Sequence, residues 1–419
     1  MTTTPFTSRD GMTRRRMLGA ALAAGTAVPL AAAGPAWAAP APAPAVRGGT
    51  QDPAGSDPVR LTLPEPTGPH PVGTVELHLV DTSRPDPDAG PGNYRQLMAS
   101  VWYPARGDAG RYARVPWMPA GVLRELLASA DFPPDVAVAP LTAGHEGAPA
   151  HRTGRGLPVV VYSHGAGSHR SDHTVIVQEL ASHGYVVVTV DHINDAYSQL
   201  PDGRVLTPIR DDQHTMYAVD YATDIRFVLD CVEQIAAGHN PDAGRRPLPD
   251  GLCQALDTSR IGMFGWSKGG TATACVMLTD RRVRAGLSLD GPMQPGPQPT
   301  ITTDLDRPFM MMTAAFARPQ DPNVTVFWSH LKGWRLDVQA DGATHHSYGD
   351  TQMLMPQMAK PAGMNDKQLK AWIGNLDPAR AVKIQQAYPL AFFDQHLRHR
   401  RGHLLDGPSR AFPEVRYVP

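Results

Sequence analysis

Residues 157–162 (LPVVVY) form an unbroken apolar run, the pattern of a strand buried on both faces. Upstream, residues 74–81 and 96–103 alternate apolar and polar positions and predict two strands that open a sheet in antiparallel fashion. A short helical piece is predicted near 120–130. Downstream the pattern becomes strand and helix by turns. A helix is predicted over about 172–183, a strand at 185–190, a polar loop at 191–215 and a long helix over about 217–237. Strands follow at 260–264, 284–289, 308–313 and 334–340, with a helix after 260–264 reaching about 279 and a last helix near 378–399. Such alternation implies an α/β protein with a mostly parallel sheet covered by helices on both faces. Residues 310–312, three consecutive methionines, read as strand core rather than a cofactor site.

The strand at 260–264 runs into Gly265-Trp266-Ser267-Lys268-Gly269-Gly270, which contains G-x-S-x-G. That arrangement is a nucleophile elbow: a strand, a sharp turn carrying serine, then a helix. The turn strains the serine backbone and brings the helix close to neighbouring strands. Side chains two residues before and after Ser267 would collide there, hence Gly265 and Gly269. Trp266 either faces the serine or packs against the sheet.

In this architecture chemistry gathers at the carboxyl ends of the strands. A serine hydroxyl needs a base to take its proton, and a loop after the last strand offers His345 and His346 in Asp341-Gly342-Ala343-Thr344-His345-His346-Ser347. Two aspartates compete to orient that base. Asp290 ends the strand at 284–289, whereas Asp321 lies beyond a long loop beside Pro322, the setting of a plain turn, so Asp290 is favoured. A developing oxyanion needs two aimed backbone N–H groups. Lys268, directly after the serine, supplies one, and the His164-Gly165-Ala166-Gly167 loop supplies the other through Ala166. Asp191, His192 and Asp195 end another strand. No second cluster with metal-ligand spacing accompanies them, and they read as solvated loop residues.

Composition adds limits. Lys and Arg number 39 against 40 Asp and Glu in 419 residues, a balance that gives no sign of a nucleic-acid partner. At the N-terminus, Arg14-Arg15-Arg16 precede an Ala/Gly-rich apolar run that closes on Ala36-Trp37-Ala38. This is the pattern of a twin-arginine export signal, residues 1–38, and predicts a secreted protein. The alternative is a membrane anchor, but Gly19, Gly25 and Pro29 interrupt the run. Residues 39–60 are an Ala/Pro-rich linker expected to be disordered, and 61–419 are expected to form the catalytic domain. An exported chain permits disulfides. Cys231 and Cys253 flank a Gly/Pro-rich loop and could pair, while Cys275 on the elbow helix reads as core.

Taken together, LPVVVYSHGAGSHRSDHT, ELASHGYVVVTVDH, IGMFGWSKGG, GLSLDGPM, GATHHSYGD and YPLAFFDQHL resemble the secreted, plasma-type platelet-activating-factor acetylhydrolases, with the related bacterial lipases and polyester hydrolases. The resemblance spans roughly 157–400. It implies an α/β-hydrolase fold, no metal and no cofactor. It also implies a small-molecule or lipid ester as substrate, with transient contact to a lipid surface. By motif, Ser267 resembles the nucleophile, Asp290 the acid and His345, rather than His346, the base. Ala166 and Lys268 resemble the oxyanion-hole donors. Trp266 and Lys268 depart from the family's usual neighbours of the serine. Acyl length, head group, hydrolysis as against acyl transfer, and oligomeric state are left open by the motifs.

Overall fold

The computed structural model describes residues 58–419, apart from 87, 88, 153, 212, 213, 298 and 299. The expected export signal lies outside these residues. In chain order the strands are β1 (Val59–Arg60), β2 (Val72–Pro85), β3 (Tyr94–Pro104), β4 (Arg114–Pro116), β5 (Ala137–Val138), β6 (Leu141–Glu146), β7 (Leu157–Ser163), β8 (Val186–Asp191), β9 (Ser198–Gln199), β10 (Val205–Leu206), β11 (Leu256–Trp266), β12 (Val283–Leu289), β13 (Phe309–Thr313), β14 (Arg335–Ala340) and β15 (Val415–Tyr417). The helices are α1 (Ala120–Ser129), α2 (Thr174–Ser182), α3 (Ala218–Ala236), α4 (Leu252–Ala255), α5 (Lys268–Thr279), α6 (Pro322–His330), α7 (Thr351–Ala359), α8 (Asp366–Ile373) and α9 (Pro378–Leu397).

Among the described residues, eleven strands make one sheet in the order β15-β14-β13-β12-β11-β7-β8-β3-β2-β6-β4. From β8 through β14 every neighbouring pair is parallel. The expected antiparallel opening is present, with β2 against β3 and β3 against β8. The parallel strands are apolar because both faces are covered. Every residue of β7 is buried. On one face Tyr221, Ile225 and Val228 of α3 and Ala272 and Val276 of α5 join the strand side chains in one apolar cluster. On the other, Ile176 and Leu180 of α2 pack with Tyr388, Phe392 and Phe393 of α9. Met311 faces the first layer and Met310 and Met312 the second, as the strand alternation requires.

One expectation needs correction, and one pairing that the sequence left open is decided. Val59–Arg60, placed in the linker, pair with β5. The Cys231–Cys253 bridge does not form, and all three cysteines are free thiols. Cys231 is buried in the apolar cluster under α3, with its thiol pushed up to about 12 chiefly by burial. Cys275 is core, as expected.

Register decides where chemistry meets. Gly265 of β11 lies opposite Ser163 of β7, Trp266 opposite Leu289 of β12, and Leu289 opposite Met312 of β13. The carboxyl ends of these strands therefore share one rim, and the loops leaving them converge.

Candidate active site

Ser267 sits between β11 and α5 with φ 54° and ψ −120°, a backbone conformation that a side chain other than glycine's rarely adopts. Such strain costs about 1–3 kcal/mol and persists only where surrounding structure imposes it. Here the N–H of Ser267 donates to Leu289 O at 2.9 Å, and its own carbonyl accepts from the N–H groups of Gly270 and Thr271 at 3.0 and 3.2 Å. The flanking glycines are required by contact. A Cβ on Gly265 would lie 2.2 Å from the Gly269 carbonyl carbon, and one on Gly269 would lie 2.0 Å from Ser163 O.

Asp290 leaves the neighbouring strand, fully buried and also at positive φ. Its Oδ1 accepts from the N–H groups of Ala314 and Phe316 at 2.7 and 2.9 Å, and its Oδ2 accepts from Ala315 at 3.0 Å. The loop after β13 thus wraps the carboxylate. Oδ2 also meets His345 Nδ1 at 2.6 Å. Burial pushes the Asp290 carboxyl upward, but the hydrogen bond and charge of His345 and the backbone donors outweigh it, leaving the group below its ordinary range. An ionised carboxylate only accepts, so Nδ1 carries the proton and Nε2 of the neutral ring is left as the acceptor.

Trp266 links the histidine to the elbow. Its Nε1–H donates to His345 O at 2.8 Å, and the two rings lie 4.8 Å apart. The indole is buried, so it packs under the histidine. Phe316 closes the other side of His345, edge-on at 5.3 Å. His346 lies instead against Trp266 and Trp372. Asp321 is not in this group. It caps α6, accepting from Val324 N–H at 3.0 Å.

Gly165 carries the loop after β7 against the elbow. A Cβ there would come within 2.6 Å of the Trp266 ring and 3.1 Å of Ser267 Cβ. Lys268 is the first residue of α5, where helix geometry leaves N–H groups without an intrahelical partner. Among the described residues, neither the Lys268 nor the Ala166 N–H donates to a backbone or side-chain acceptor.

The residues read as solvated at the end of β8 are not so. Asp191 and His192 are fully buried. Asp191 accepts from the Arg170 N–H and from Ser198 Oγ, each at 2.6 Å, and pairs with the Arg170 guanidinium. His192 bridges Ser163 Oγ and Asp224, each at 2.9 Å, and Asp224 is held in turn by Arg95 at 2.7 Å. Asp195 pairs with the Lys268 ammonium. The sequence signal was present only as a run of polar residues at a strand end. Partners drawn from positions 95, 170 and 224 make their burial tolerable.

Two buried histidines have a consequence for stability. Burial pulls His169 and His192 each from an ordinary 6.5 to about 4. Both stay neutral in the folded chain while the unfolded chain takes up protons below about 6.5. Their contribution is complete above that pH and is lost as pH falls towards 4. Asp337 and Asp350, raised by burial to about 6, act in the opposite sense below 6. Urea unfolding of His169→Gln is therefore expected to show a weaker loss of stability between pH 6.5 and 4, by up to about 1.4 kcal/mol per pH unit. An unchanged slope would remove His169 from the account.

A parallel sheet with a strained serine between strand and helix, and a histidine after the last parallel strand, defines an α/β-hydrolase. The comparisons agree. A ferulic acid esterase from Streptomyces cinnamoneus superposes with a TM-score of 0.69 at 32% identity, covering 86% of this chain and 99% of that one. The chain is a carboxylic ester hydrolase. More narrowly, the family model for platelet-activating factor acetylhydrolase, isoform II, matches residues 56–199 and 220–404, and the chain belongs to that family. An Arthroderma benhamiae protein named "Probable 1-alkyl-2-acetylglycerophosphocholine esterase" is 25% identical over 397 residues, 87% of this chain and 96% of its own length. The platelet-activating factor acetylhydrolase of Gallus gallus is 23% identical over 388 residues, 81% of this chain and 84% of its own length.

Proposed function

We propose that Ser267, His345 and Asp290 form the nucleophile, base and acid of a serine esterase that removes short acyl groups through an acyl-enzyme. The observation that carries this reading is the 2.6 Å contact between His345 Nδ1 and buried Asp290, with Trp266, the residue before the strained Ser267, donating to the His345 carbonyl. His345 Nε2 takes the hydroxyl proton as Ser267 Oγ attacks the ester carbonyl. The tetrahedral oxyanion accepts from the N–H groups of Lys268 and Ala166, each such donor being worth about 10²–10³ in kcat. Collapse expels the alcohol, which receives its proton from His345. Water then loses a proton to His345 and attacks the acyl carbon, returning Ser267. Asp290 stays ionised throughout and stabilises the imidazolium. The three arginines at 14–16 and Ala36-Trp37-Ala38 support export of the enzyme through a twin-arginine signal.

Phospholipids bearing a short acyl chain are the substrate favoured by the family assignment. The Streptomyces cinnamoneus structure, the more identical of the relatives above, favours a second reading, an aromatic acid ester. A single panel separates them: p-nitrophenyl esters from acetyl to palmitoyl, 2-acetyl and 2-palmitoyl phosphocholine lipids, and methyl ferulate. The expected result is a kcat/KM that falls with acyl length and favours the 2-acetyl lipid over methyl ferulate. A preference for palmitoyl would overturn the short-acyl assignment, and a preference for methyl ferulate would establish the second.

A further inference from the structure

We infer that Asp195 is a positioning residue that joins the two halves of the oxyanion hole, with the Lys268 side chain neutralising it. The inference rests on the proposed roles of the Ala166 and Lys268 amides. Those amides belong to separate segments, the loop after β7 and the first turn of α5, and no covalent link sets their separation. Asp195, on the loop after β8, touches both segments. Its Oδ1 accepts from the Gly167 N–H at 2.9 Å, the residue directly after Ala166. Its Oδ2 takes the Lys268 ammonium at 2.5 Å. Tyr221 completes the bridge. Its hydroxyl donates to Asp195 Oδ2 at 2.7 Å and lies 3.4 Å from Gly165 O, and its ring stacks on buried His192 at 3.7 Å. The carboxylate is thus backed by a buried, hydrogen-bonded layer.

The charge balance gives Lys268 a second task. A carboxylate next to an oxyanion hole opposes the negative charge that develops in the transition state, and at low effective dielectric that opposition is strong. The Lys268 side chain is only 20% exposed and turns away from water to Asp195, with Met216 O accepting a second ammonium proton at 2.5 Å. Pairing cancels the carboxylate's field and leaves its geometry in place. The lysine directly after the serine is thereby matched to an aspartate 73 positions earlier.

The two parts of this inference predict an unusual pattern in a double-mutant cycle. Lys268→Met leaves an unpaired carboxylate beside the hole and should lower kcat for p-nitrophenyl acetate by about 10²-fold, the scale of one lost oxyanion donor, with KM little changed. Asp195→Asn keeps an oxygen for the Gly167 N–H and should cost only about 10-fold. Asp195→Asn combined with Lys268→Met should return to the level of Asp195→Asn alone, because the uncompensated charge is gone. Lys268→Arg, which retains the charge, should rescue most of the loss. Thermal unfolding of each variant separates positioning from simple destabilisation, and Lys268→Gln carries the same comparison if Lys268→Met does not fold. Losses that multiply in the double variant, or that fall in KM with kcat intact, would overturn the inference. Fluorophosphonate labelling of Ser267 in wild type distinguishes the two levels. Its absence would sink the underlying triad, whereas labelling with a multiplicative cycle would sink only the role of Asp195.

Discussion

Ser267→Ala is expected to lower kcat for p-nitrophenyl acetate by about a million-fold, the scale on which a triad serine is lost. The chemistry gives the reason. With no hydroxyl at 267, His345 has no nucleophile to deprotonate and no acyl-enzyme forms. What survives is the part that the oxyanion donors and substrate binding contribute, about 10³–10⁴ over water. Folding should not suffer. Alanine keeps the Cβ already accommodated at φ 54°, and the serine side chain makes no capping hydrogen bond to α5. The variant should therefore melt close to wild type and fail to take a fluorophosphonate label. Activity that persists at wild-type levels in a folded Ser267→Ala protein would end the assignment.

Asp290→Asn should come second, with kcat reduced about 10⁴-fold and KM much less affected. The new amide can present its NH₂ to His345 Nδ1, which then must accept. The ring changes tautomer, its proton moves to Nε2, and the base faces Ser267 with nothing to accept a proton. The three backbone donors from Ala314, Ala315 and Phe316, now arranged around an ion, would also meet a neutral group. Asp321→Asn is the matched control. Asparagine caps a helix about as well as aspartate, and Asp321 serves α6, so its kcat should stay within about two-fold of wild type on that principle. A larger loss at 321 than at 290 would reverse the choice of acid.

Why the elbow and one acid could be argued from sequence, and the bonds around that acid only from geometry, is visible in these residues. The elbow was legible because its constraint is local. Five consecutive positions must make a strand end, a strained turn and a helix start, and Gly265 and Gly269 record the collisions that side chains would cause. The parallel strands were legible because burial on both faces leaves no room for polar alternation. Asp290 was favoured as the residue directly after a strand. Its bonds, however, come from the loop after β13 and from His345, 55 positions downstream. His345 and His346 are neighbours in a loop with no regular period; the resemblance favoured His345 as the base, and the tertiary structure puts the acid-bound ring at 345 and packs the ring at 346 on Trp372.

Asp191, His192 and Asp195 show the converse. Charged residues at a strand end are ordinarily solvated, and nothing within reach along the chain says otherwise. Three of the groups that pay for their burial, Arg170, Asp224 and Lys268, lie 21, 32 and 73 positions away. The sequence by itself determined an α/β protein with a mostly parallel sheet, the serine elbow and the short list of acids and bases, because each follows from the spacing of apolar, small and polar residues over a few turns or strands, while the α/β-hydrolase class was implied by the resemblance of its motifs. Tertiary structure decided which acid meets which histidine, which thiols stay free, and that a lysine and an aspartate bridge the segments proposed as oxyanion donors. Those outcomes depend on the register of β7, β11, β12 and β13, which brings distant loops to one rim, and on desolvation, which only the closed fold imposes.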